Sequence, residues 1–300
     1  MKNHNNELTF VSYDQRSQQL LGGRYDLKTG DRQISDLEIP IAENTSSKEP
    51  VDIDRNIGDK HFYLMADTGM TSGINASLYY TNGTPGHSVI LSDQISDFFF
   101  QSEIIGDKFY FSTGEFSNDV FVYDSTLDTL TLLASGLNDI GHFTAADSKL
   151  FFSNNVGSEL WSSDGTMANT NQISGATLNG IAEIVTINDT AYVINMDPSE
   201  FVNLFYTNGT NLISVETEAI TSPTVFGTSL LYGVDVPGTS SDLKIHNGTA
   251  STLLTSFNTP GRIFDITNFN GEAYFRGGNA GESLWKTDGT AGNTAVVTAP

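Results

Sequence analysis

The chain has 300 residues, with 36 Asp and Glu against 14 Lys and Arg, a formal net charge of -22 at pH 7. That sign opposes attraction to phosphate backbones and anionic head groups, so nucleic acid and acidic membrane surfaces are poor partners. The absence of cysteine removes disulfides, thiolate nucleophiles and Cys-ligated zinc, while 11% aromatic and only 17% charged residues fit short strands joined by polar turns.

Residues Met1 to Asn6 are polar and lead straight into Leu8-Thr9-Phe10-Val11, so no signal peptide is visible in this chain. No apolar run approaches the roughly 20 residues that span a bilayer, and no membrane insertion is expected. Leu8 to Tyr13, Gly23 to Asp26 and Arg32-Gln33-Ile34, with a Lys28-Thr29-Gly30 turn, read as a degenerate first unit of strands. The stretch 36–59, with Glu38, Glu43, Glu49, Asp52 and Asp54, reads as an acidic irregular insertion between that unit and the next.

From there one phrase recurs: an apolar or aromatic stretch, then Asn or Asp, then Gly-Thr or Ser-Thr. The Asn or Asp stands at Asn82, Asp124, Asp164, Asn208, Asn247 and Asp288, at intervals of 42, 40, 44, 39 and 41 residues. Such a period matches one propeller blade. The Asn-Gly and Asp-Gly pairs are read as type I′ hairpin turns, in which both central residues take positive φ. Ahead of each signature runs an apolar strand: Phe62-Tyr63-Leu64, Phe109-Tyr110-Phe111, Leu150-Phe151-Phe152, Tyr192-Val193-Ile194, Leu230-Leu231-Tyr232 and Ala273-Tyr274-Phe275. Continuous apolar runs fit strands covered on both faces, so their aromatics are expected in the core. With a first strand before each run and a last one after each turn, every unit has four strands. His142 to Ala145, Lys149 to Phe152, Glu159 to Trp161 and Asn171 to Ile173 give the pattern in one unit. The expected fold is all-β, a seven-bladed β-propeller with four-stranded antiparallel blades, six or eight being the alternatives. It would form a single domain over 1–300.

Glu159-Leu160-Trp161-Ser162-Ser163-Asp164-Gly165-Thr166 and Ser283-Leu284-Trp285-Lys286-Thr287-Asp288-Gly289-Thr290 resemble the bacterial ELWxxDGT repeat, which is diluted in the other units. The resemblance implies a β-propeller of large secreted or surface-associated bacterial proteins, with Trp161, Asp164, Gly165, Thr166, Trp285, Asp288, Gly289 and Thr290 as blade-building residues. It carries over nothing catalytic. Lys244 departs most, standing where other units have an aromatic.

Five histidines, His4, His61, His87, His142 and His246, lie at different phases of the repeat, which predicts no zinc or triad site. No phosphate loop and no Gly-x-Ser-x-Gly elbow occurs, so no catalytic residue is assigned. Connections between units hold Asp93, Asp97, Asn138, Asp139, Asn179 and Asn258, amides and carboxylates suited to a polyhydroxylated ligand or a hard cation. Of these, Asp97, Asn138, Asp139, Asn179 and Asn258 are the candidate ligand-binding residues, although the same residue types also make plain turns. No cofactor is required; Ca²⁺ is the one ion the charge would suit, with no ligand set assigned. Loops between second and third strands, such as 67–75, 114–119, 197–203, 235–242 and 277–281, differ most between units, and variable loops on a rigid scaffold are where recognition is usually placed. The leading expectation is a non-catalytic, lectin-like secreted module that binds carbohydrate or protein at a cell surface. The alternatives are a polysaccharide hydrolase or lyase with carboxylates at a channel mouth, and a structural segment of a bacterial surface assembly.

Overall fold

In the computed structural model, the residues described are 2–4, 7–14, 19–26, 32–37, 48–67, 75–82, 88–96, 100–113, 118–173, 178–196, 202–207, 209–216, 218–236, 240–258, 263–278 and 283–298. Among them every regular element is a strand except two short 310 turns, Met167–Asn169 and Ala291–Asn293. Contacts divide the chain into two compact units: Met1–Gly141 with Gly165–Thr170, and His142–Asp164 with Asn171–Pro300.

The first unit contains three four-stranded antiparallel meanders. They are β1 (Lys2–His4), β2 (Glu7–Asp14), β3 (Gln19–Asp26) and β4 (Arg32–Leu37); then β5 (Lys48–Ile57), β6 (Lys60–Asp67), β7 (Asn75–Thr81) and β8 (Ser88–Ser96); then β9 (Ser102–Ile105), β10 (Lys108–Ser112), β11 (Val120–Asp124) and β12 (Thr129–Ala134). The second unit contains four more. The first is β13 (Gly141–Ala146), β14 (Lys149–Asn154), β15 (Glu159–Ser163) and β16 (Asn171–Ile173), and the second is β17 (Ile181–Ile187), β18 (Thr190–Met196), β19 (Val202–Thr207) and β20 (Leu212–Ser214). The third is β21 (Ala219–Phe226), β22 (Ser229–Val236), β23 (Ser240–His246) and β24 (Ser251–Phe257), and the last is β25 (Phe264–Phe269), β26 (Glu272–Gly277), β27 (Ser283–Thr287) and β28 (Ala295–Val296). β19 also pairs with β21 through Val202 and Ile220, which fuses two meanders into one eight-stranded sheet.

Two expectations need correction. The irregular insertion over 36–59 is strand at its second half: β5 pairs with β6 from Lys48↔Asp67 to Ile57↔Lys60, bulged between Asp52 and Arg55. Dense acids hid the alternating Val51, Ile53 and Ile57 from a pattern search, while residues 38–47 lie outside the described residues. The signature turns are also not type I′. Gly165, Gly209, Gly248 and Gly289 take positive φ, but Asp164, Asn247 and Asp288 do not. Their carboxylates and amides instead fold back on the turn: Asp288 Oδ1 accepts Thr290 N–H at 2.9 Å, and Asn247 Oδ1 accepts Thr249 N–H at 3.1 Å. These are Asx turns. The I′-like pairs lie instead between first and second strands, as at Asp147-Ser148 and Asn188-Asp189, where both residues have positive φ.

Second strands are buried as expected, Tyr274 alone among the singled-out aromatics being half-buried. Their side chains form clusters between successive sheets. Phe62, Leu78, Phe109 and Tyr123 join β5–β8 to β9–β12, and Phe151, Leu160, Ile184 and Val193 join β13–β16 to β17–β20. First strands stack the same way: Thr144 Oγ1 donates to Ile184 O at 3.1 Å and Thr186 Oγ1 to Ala145 O at 2.7 Å, a spacing of one repeat.

Candidate functional site

In a four-stranded antiparallel meander, the first-to-second and third-to-fourth turns fall at one end of the sheet. The second-to-third loop and the exit of the fourth strand fall at the other. The turn end binds sheets together. Lys60, opening β6, donates to Ser125 O of the next sheet's signature turn at 2.8 Å and lies over the Tyr80 and Tyr123 rings at 5.3 and 5.2 Å. Asn188 Nδ2 likewise reaches Asn247 O at 3.0 Å. Lys108 and Tyr110 stand so near Gly165 that an added Cβ would lie 2.7 Å from each polar tip, and φ there is +91°. Glycine suits that turn because any other side chain would be strained at this φ and would also have to push the Lys108 and Tyr110 tips aside. Where the signature continues into Met167–Asn169 and Ala291–Asn293, the 310 turns pack on β12 and β24, the outermost strands of their sheets. Covering such a strand blocks unwanted pairing. The signature residues Trp161, Asp164, Gly165, Thr166, Trp285, Asp288, Gly289 and Thr290 thus lie on the third strands and their turns.

At the loop end the structure ties loops to connections. In the first unit, Leu137 N–H donates to Asn118 O at 3.1 Å and Gly136 N–H to Asp119 Oδ1 at 3.2 Å, which fixes the approach to Asn138 and Asp139. Both residues are exposed, and Asp139 has φ +54°. In the second unit, Ile181 N–H donates to Gly157 O at 2.9 Å and Met196 N–H to Gly180 O at 2.8 Å. Buried Asn195 accepts the Asn179 backbone N–H through Oδ1 at 3.0 Å, leaving the Asn179 residue exposed beside them. Val156 and Met196, 70% and 51% exposed, flank this place. Val156 holds φ +55°, an outlier for a β-branched residue. Asn258 is exposed just past β24. Asp97 lies outside the described residues, as do 68–74, 114–117, 197–201, 237–239 and 279–282 of the variable loops; Asp93 is an exposed residue within β8.

Sequence phasing gave no hint of a polar chain in the second unit. Tyr192 Oη meets His246 Nε2 at 3.0 Å, His246 Nδ1 meets Ser251 Oγ at 3.1 Å, and Ser251 Oγ meets Tyr232 Oη at 2.8 Å. Lys244 Nζ pairs with Glu216 at 2.8 Å, so the departing lysine is half-buried against a carboxylate. Burial pushes the Tyr232 phenol up to about 12 and holds the His246 imidazole below its ordinary value, with Glu216 pulling the imidazole the other way. A serine beside an imidazole is half of an acyl-transfer set. Here both ring nitrogens are already engaged, and the chain links neighbouring meanders. Two other histidines have local partners: His142 Nδ1 meets Ser153 Oγ at 2.9 Å and His61 Nδ1 meets Asn56 Oδ1 at 2.6 Å.

Among the described residues no three His, Asp or Glu side chains gather as a metal-holding group, and no helix is long and apolar enough to cross a membrane. No family model and no curated protein matches the chain. Among solved structures, dipeptidyl peptidase 4 of Porphyromonas gingivalis is similar at TM-score 0.52 and 10% identity, over 97% of this chain and 52% of that one. A puromycin hydrolase is similar at TM-score 0.43 and 13% identity, over 91% and 50%. The β-propeller domain of the trilobed protease from Pyrococcus furiosus is similar at TM-score 0.38 and 9% identity, over 94% and 89%. The chain thus spans about half the length of the first two. At 10% identity the likeness to the peptidase is one of fold alone, that of an all-β chain of antiparallel four-stranded sheets.

Proposed function

We propose that the chain is a non-catalytic recognition module of the ELWxxDGT kind, a seven-bladed propeller that binds extracellular carbohydrate or protein through its loop end. One observation carries the reading: variable loops and exposed amide and carboxylate positions share the same end of their sheets, pinned by hydrogen bonds from the backbone N–H groups of Gly136, Leu137, Ile181 and Met196. Side chains on a surface held this way lose little conformational freedom on binding, and that preorganisation favours affinity. Val156 adds support, since an exposed valine at positive φ is unfavourable on both counts and serves no packing role. The acidic surface favours neutral or cationic ligands over nucleic acid.

The test is a glycan array together with pull-down from bacterial and host cell surfaces, run with and without Ca²⁺. Saturable binding of one glycan class or one surface protein, without turnover, supports the proposal. Hydrolysis or eliminative cleavage of any polysaccharide offered would replace it with the enzymatic alternative.

A further inference from the structure

β18 and β23 belong to neighbouring meanders of the second unit, and one histidine stands at the seam, one ring nitrogen bonded across it and the other bonded within its own meander. His246, only 5% exposed, meets Tyr192 Oη of β18 through Nε2 and Ser251 Oγ of β24 through Nδ1. At the same end Asn188 bridges Thr228 O and Asn247 O at 3.1 and 3.0 Å, while at the other end the meanders join through Val202 and Ile220. The corresponding place in the other signature strands holds Thr81, Tyr123, Ser163, Thr207 and Thr287, hydroxyl side chains that take up no proton near neutral pH.

We infer that His246 makes the seam between β17–β20 and β21–β24 acid-labile, its protonation loosening the contact of these two meanders. A neutral imidazole offers one donor and one acceptor, which suits two hydroxyl partners. The imidazolium offers two donors, so Tyr192 must turn to accept and its own O–H must find another acceptor. The Tyr192 oxygen stands beside Asn188 and the Gly248 turn, where the Thr228 and Asn247 carbonyls already accept from Asn188. The titratable and charged groups facing the ring are Tyr192 from β18, Glu216 from the connection after β20, Tyr232 from β22 by way of Ser251, and Lys244 on its own strand. Among the described residues Glu216 favours the cation, and Lys244 already holds it. Because burial keeps the folded imidazole below its ordinary value, the unfolded chain takes the proton first as pH falls. The contribution of His246 is therefore complete above about pH 6.5 and is lost as pH falls through the folded value.

The experiment measures Tm and hydrogen exchange between pH 7.5 and 5.0 for the wild type and His246→Thr, the residue used by sister strands. After correction for intrinsic rates, amides of β18 and β23 in the wild type should exchange about tenfold faster at the acid end relative to those of β26, and the threonine variant should lose this acceleration. The inference is overturned if the variant keeps the full acid response. NMR titration of the wild-type ring decides the matter independently of the variant's folding: a value at or above about 6.5 excludes the mechanism, and a depressed one supports it.

Discussion

Trp161 and Trp285 occupy equivalent places in their sheets and differ in one bond. Trp161 Nε1 donates to Glu159 Oε2 at 3.0 Å, and the same carboxylate oxygen accepts Asn154 Nδ2 at 2.6 Å. In the last meander Ser283 replaces that glutamate, and among the described residues the buried Trp285 Nε1 has no hydrogen-bond partner. A buried unmet N–H costs about 1–3 kcal/mol. Ser283→Glu is therefore expected to raise the unfolding free energy by about 1 kcal/mol and Glu159→Ala to lower it by a similar amount, both read from urea midpoints. A neutral or destabilising Ser283→Glu would contradict the pairing. Val156 makes the second residue-scale case. Val156→Asn should stabilise by about 1 kcal/mol, because asparagine tolerates left-handed φ, and should weaken ligand capture if the valine serves recognition.

Strands built around apolar runs were legible because their sequence writes burial directly; β14 and β16 begin where the pattern put them. First strands were not legible at their bulges. His142, Ser222 and Asp265 all take positive φ, and two residues later Thr144, Thr224 and Thr267 hydrogen-bond back to their carbonyls at 3.4, 3.1 and 3.4 Å. Composition does not mark His, Ser or Asp as left-handed, so the device emerges only once the three strands are aligned in space. The Tyr192–His246 contact spans 54 residues, beyond the reach of motif spacing. The turn-end latch was half legible: the signature was plain, but not that the preceding sheet holds it. Lys60 tests that latch, since it combines a hydrogen bond to Ser125 O, two ring contacts and a 3.8 Å approach to Asp128. Lys60→Met should cost about 2 kcal/mol by calorimetry. Retention of full stability would show that the contacts contribute nothing.

Over the whole molecule, the repeat separates two tasks. Apolar second strands and capped turns carry cohesion, with core clusters between consecutive sheets of each unit. Loops and fourth-strand exits contribute local ties, the hydrogen bonds at Leu137 and Ile181 and the Val202–Ile220 pairing, and vary most from unit to unit. The candidate residues were found by their place in the repeat rather than by chemistry. Of them, Asn138, Asp139, Asn179 and Asn258 are exposed at loop ends, while the identity of a ligand is not written in turn-forming residue types. Asn188, by contrast, belongs to cohesion, so Asn188→Ala should lower Tm without touching recognition.

The most direct measurement is a calorimetric titration of the captured ligand against Asn138→Ala/Asp139→Asn, Asn179→Ala and Asn188→Ala. The account predicts affinity reduced about tenfold or more in at least one loop-end variant, and unchanged affinity with a lowered Tm in Asn188→Ala. Loss of binding on the turn-end substitution alone, with both loop-end variants at full affinity, would contradict it.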